Sequence, residues 1–141
     1  MKLDEFEIDD VFTTPPNKIS EKDIINFAQE FDPQYMHLDK EKATQGRFNG
    51  LIASGIHTLS ISFKLWIEAG KYGEDVIAGT HMNHIKFIKP VYPEDELYTK
   101  IKVLKKQATK RDQGLLTVLL STFNQYEDKV FEGELTALMK R

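Results

Sequence analysis

The sequence predicts an α+β domain in which an antiparallel sheet wraps around one long central helix. Three features lead there. An apolar stripe recurs at helical spacing from about residue 52 to Gly70; three later segments alternate apolar and polar residues and a fourth is a denser apolar run; and the polar connections have lengths that join antiparallel neighbours. With 141 residues, 40% hydrophobic and 29% charged, the chain holds enough for one core, and residues 1–141 read as a single domain.

Residues 1–19 are polar, carry the pair Pro15-Pro16, and read as a leader without regular structure of its own. Ser20 followed by Asp23 forms a capping-box pattern ahead of Ile24, Ile25, Phe27, Ala28 and Phe31, which predicts a short helix over 21–31. Pro33 ends it, because proline pushes the preceding Asp32 out of the helical region. In the long helix, Ile52, Ile56, Leu59, Phe63 and Ile67 recur every three or four residues, and Gly70 stops it. Beyond Gly73 the period changes to two. Ile85 and Phe87 lead into Pro90; Leu97, Ile101 and Val103 alternate with Tyr98, Lys100 and Lys102; and Phe131 to Met139 alternate again. The denser run Leu115 to Leu120 suits a strand near the middle of the sheet, and the four segments read as a meander.

Composition narrows the function. A net charge of −3 argues against a nucleic-acid surface. The absence of cysteine excludes disulfides and thiolate metal sites, and His81 and His84, three apart on a strand, would point to opposite faces rather than share a metal. The acidic amino terminus lacks a signal peptide's apolar core, and Leu51 to Ile67 is too interrupted by polar residues for a membrane span, so a cytoplasmic protein with no membrane partner is expected.

The chemistry concentrates between Phe27 and His57. Asp32 and His37 are five apart, which on a helix would separate them by about 140°. Pro33 makes the segment a turn instead, and a turn can bring carboxylate and imidazole to one water molecule. The same residues also fit an ordinary turn in which Asp32 caps and His37 lies at the surface. Gly50 and Gly55 flank the start of the long helix, where free N–H groups and the positive dipole end suit an oxygen that becomes negative. Those glycines equally fit close packing of helix against sheet.

Phe-Asp-Pro-Gln-Tyr-Met-His-Leu-Asp from Phe31, then Ala43, then Phe48-Asn-Gly-Leu-Ile-Ala-Ser-Gly, resembles the MaoC-like acyl dehydratases, which include the (R)-specific enoyl-CoA hydratases. Phe87-Ile-Lys-Pro-Val-Tyr-Pro-Glu-Asp resembles the family's Pro-Val-x-Pro-Gly-Asp strand end, so the resemblance runs from about residue 8 to 138. Gln34 stands where the family usually has Asn, Tyr35 where it has Pro, and Glu94 where Gly is common.

The resemblance implies a hot-dog fold, a dimer joined edge to edge, and an acyl-thioester substrate in a tunnel at the dimer interface. It places Asp32 and His37 on the catalytic pair, Gly55 at the oxyanion-binding helix start, and Ser60 on a serine near the pocket. Tyr35 is a candidate tunnel residue, and His57, two residues beyond Gly55, either faces the pocket or packs the helix. The implied reaction is hydration of a trans-2-enoyl thioester, or its reverse, without a cofactor beyond the coenzyme A or acyl carrier that the substrate bears. A hot-dog thioesterase and a non-catalytic acyl-binding module are the alternatives.

Overall fold

The computed structural model describes residues 1–141. Ser20 caps the first helix, α1 (Glu21–Phe31), by accepting from Asp23 N–H at 3.0 Å, while Asp23 reaches back to Ser20 N–H. Two short helices follow, α2 (Tyr35–Leu38) and α3 (Lys40–Gln45), and then the central helix α4 (Gly55–Glu68). Ile52 and Ala53 are extended lead-in rather than helix, because Ile52 N–H donates to Met36 C=O and Ala53 N–H to Val91 C=O.

The leader is not bare coil. A 3-10 turn at Leu3–Glu5 precedes strands β1 (Val11–Thr13) and β2 (Asn17–Lys18). Leu3, Phe6 and Ile19 are completely buried, so three apolar residues in a polar stretch draw it into the core.

Four long strands complete the chain: β3 (Val76–Phe87), β4 (Glu96–Lys110), β5 (Gln113–Phe123) and β6 (Lys129–Lys140). The sheet order is β1-β4-β5-β6-β3, antiparallel throughout, with β2 also on β4. Only β4, β5 and β6 form a meander; β3 crosses to the far edge and pairs with β6, not with β4. β4 extends to Lys110, which leaves Arg111-Asp112 as the two-residue hairpin loop that joins it to β5. β5 occupies the middle, as its apolar density predicts.

The sheet curls around α4. Trp66 is fully buried, edge-on to Tyr72 at 5.0 Å between centroids and tilted against Phe12 at 5.7 Å. A chain of buried hydroxyls pins helix to sheet: Ser62 meets Thr122 at 2.5 Å, and Thr122 meets Thr99 at 2.7 Å. Truncation of Trp66 to Ala is expected to cost about 3–5 kcal/mol, read as a lower urea midpoint, because the indole fills the space between helix, sheet and leader.

Glu94, which stands at the glycine of the motif that this segment resembles, has φ 73° and donates its N–H to Ile19 C=O at 2.7 Å. The turn demands left-handed backbone, which glycine adopts at least cost.

Candidate functional site

Asp32 follows the last residue of α1 and donates its N–H to Ala28 C=O at 2.9 Å, closing the helix. Pro33 then turns the chain and α2 restarts it, so that His37 faces back. His37 Nε2 lies 3.2 Å from Asp32 Oδ2. The turn therefore brings the two predicted residues into direct contact.

His37 is 6% exposed, and its Nδ1 lies 2.7 Å from Ile52 C=O. A carbonyl only accepts, so Nδ1 carries a proton and donates it. Nε2 touches Asp32 directly, donating to it when the ring is protonated, and in the neutral ring offers its lone pair to a water that lies beside the pair.

Asp32 gathers more partners than its sequence position suggests. Ser54 Oγ donates to Oδ2 at 2.6 Å, and Gln34 Nε2 donates to Oδ1 at 2.6 Å. Burial pushes the carboxyl pKa up, yet the Ser54 and Gln34 bonds and the adjacent imidazole outweigh it, so the pKa lies below the ordinary aspartate value. Neither Ser54 nor Gln34 was among the sequence candidates. Ser54 looks like a simple helix cap, and the only hint of more is a small hydroxyl residue directly before a glycine-initiated helix.

Gly55 opens α4, and the first N–H groups of a helix have no intrahelical acceptor. A Cβ here would fall 2.8 Å from atoms of the Phe87 ring, so close packing alone requires glycine. Both readings of this residue, packing and an available N–H, are compatible in one geometry. Gly55 and Phe87 border a cavity of about 250 Å³ that Phe48, Thr58, Lys89 and Val91 also line.

The remaining candidates are dispersed. His57 and Ser60 line a second cavity of about 390 Å³ together with Asp23, Asn26, Phe27 and Lys64. His57 stacks on Phe27 at 4.4 Å, its Nδ1 lacks a partner, and burial holds its pKa below the ordinary histidine value against the opposing pull of Asp23. Ser60 Oγ donates to Ile56 C=O at 2.8 Å along its own helix. Gly50 sits in the loop before α4 with its N–H on Ala43 C=O, and Tyr35 is exposed at the start of α2. Neither Asp32 nor His37 lines these two cavities.

No helix is long and apolar enough to cross a membrane.

Comparison with known proteins fits this geometry. The family model described as MaoC like domain matches residues 5–123. YdeM of Bacillus subtilis strain 168, an uncharacterised protein, is 67% identical over 141 residues, covering 100% of both chains. Among solved structures, the MaoC-like dehydratase from Rhodospirillum rubrum superposes with a TM-score of 0.91 at 30% identity, covering 100% of this chain and 97% of that one. The R-hydratase PhaJ1 from Pseudomonas aeruginosa gives 0.71 at 25% identity, covering 99% and 84%. This chain belongs to the MaoC-like dehydratase family and carries its hot-dog fold.

Proposed function

We propose that the protein reversibly hydrates a trans-2-enoyl thioester, borne by coenzyme A or an acyl carrier, to the 3-hydroxyacyl thioester. The observation that carries this reading is the Asp32–His37 contact of 3.2 Å, held beside the start of α4 by the Ser54 bond to Asp32.

Asp32, ionised at neutral pH, accepts a proton from water as the water oxygen bonds to the β-carbon. The carbon–carbon π pair moves toward the thioester, and charge collects on its oxygen. The Gly55 N–H faces that charge at the positive end of α4, where one donor is worth roughly 3–4 kcal/mol. His37 orients the water through Nε2, and the proton taken by the pair passes to the α-carbon. One water is added across one double bond, so no net oxidation occurs and the scheme calls for no redox cofactor. Dehydration runs the same steps backward.

A direct test incubates the protein with trans-2-enoyl-CoA and analyses products by mass and free-thiol release. The expected product is heavier by one water with no thiol freed. Thiol release without hydration would replace this reading with thioester hydrolysis, and binding without turnover would replace it with an acyl-binding role.

We further propose a homodimer joined through β3. This edge strand is exposed along most of its length and presents Ile77, Met82 and Phe87, while Phe63 and Ile67 of α4 are also exposed. An unpaired apolar edge is a template for pairing, which soluble proteins otherwise cover or charge. Light scattering is expected to give twice the 16.3 kDa chain mass, and Ile77→Asp with Met82→Lys should reduce it toward the monomer. A wild-type monomer would refute the interface.

A further inference from the structure

The geometry points to Ser54 as a positioning residue: its hydroxyl ties the Asp32 carboxylate to the start of α4, fixing the base beside the Gly55 N–H. This rests on the hydration reading above, but its test does not depend wholly on it.

A serine that only caps a helix needs to accept, and Ser54 Oγ does so from Ile56 N–H at 3.3 Å. Capping leaves the hydroxyl proton uncommitted. Here that proton goes to Asp32 Oδ2 at 2.6 Å, a length typical of a hydroxyl bonded to an ionised carboxylate. Ser54 is 1% exposed, so water competes weakly for either bond. Donation from Ile56 polarises the hydroxyl and strengthens it as a donor, which links the positive end of α4 to the base.

Around Asp32, the titratable neighbour is His37 from α2; Gln34 from the turn and Ser54 from α4 supply neutral contacts. Gln34 is exposed and can exchange its bond for water. Ser54 cannot, because its backbone is held in place: Ala53 before it is bonded to Val91, and His57 and Thr58 N–H both close on Ser54 C=O. The hydroxyl is therefore the rigid restraint on Oδ2, whereas Gln34 is the adaptable one on Oδ1. Removing Ser54 frees the carboxylate to rotate away from the helix start and withdraws the leading bond that favours its ionised form.

Ser54→Ala and Ser54→Gly are compared with wild type in two ways. Glycine keeps most of the capping preference and alanine does not, so the pair separates helix stability from the bond to Asp32. Both variants are expected to lose roughly 10- to 100-fold in kcat/KM for enoyl-CoA hydration, the size of one charge-assisted hydrogen bond, with the acid limb of the pH profile moved to higher pH. Carbon NMR titration of the Asp32 carboxyl, which needs no substrate, is expected to move upward in both variants. A titration that moves while wild type hydrates nothing would overturn the hydration reading and leave the Ser54 tie standing. If the titration and pH profile stay at wild-type values in both variants, and only Ser54→Ala loses thermal stability, Ser54 is a cap alone and the inference fails.

Discussion

Asp32→Asn is expected to lower kcat/KM for hydration of crotonyl-CoA by about 10²- to 10⁴-fold, the range for losing a positioned acid–base group. Asparagine keeps the shape and the Oδ1 acceptor but cannot take a proton from water. Stability should respond separately. The folded Asp32 pKa lies below the ordinary aspartate value, so the ionised contacts add stability above that ordinary value. That share is lost as pH falls from the ordinary aspartate value toward the lower folded one, since the unfolded chain then binds the extra proton. Asp32→Asn lacks the linkage and should show a flatter decline in denaturation midpoint on acidification. Retained hydratase activity in a well-folded Asp32→Asn protein would remove Asp32 from the mechanism.

His37→Ala is expected to reduce kcat/KM by a similar factor, because the water loses its second contact and the proton loses a route to the α-carbon. It should also destabilise the fold: Ile52 is buried, and its carbonyl loses the Nδ1–H donor at 2.7 Å. The double variant, Asp32→Asn with His37→Ala, should be scarcely slower than either single one, since two groups that act on one water fail as a unit. Multiplying losses would mean that the residues act in separate steps. Steady-state kinetics on the three proteins distinguishes the outcomes.

Where local pattern decides structure, the sequence was informative. The Ser20–Asp23 capping box and Pro33 bound α1 at both ends, and the dense Leu115–Leu120 run marks the central strand, whose Leu116, Val118 and Leu120 are buried against the core. The leader escaped because its apolar residues, Leu3, Phe6 and Ile19, are scattered and show no period, though each finds the core. The place of β3 was illegible for a different reason. Alternation reports which face of a strand is buried, never which strand lies beside it, and β3 reaches β6 through a crossover that spans the sheet.

The site divides along the same line. Asp32 and His37 were legible because proline between them forces a turn, and a turn closes a five-residue gap. Ser54 was not, because it is 22 residues from Asp32 and its local role as a cap already accounts for a serine there. Family resemblance marked Gly55 as an oxyanion donor, but only the Phe87 ring above it explains why even a methyl group is excluded. Ser60 and His57 share a separate cavity, which neither Asp32 nor His37 lines.

The most direct test of the central claim is the loss of conjugated enoyl-thioester absorbance when wild-type protein is mixed with crotonyl-CoA and with longer trans-2-enoyl-CoA esters. Rapid decay toward an equilibrium that is also approached from the 3-hydroxyacyl-CoA side is the predicted result. An absorbance that stays constant with every chain length, from protein shown to be folded, would contradict the assignment of Asp32 and His37 to hydration.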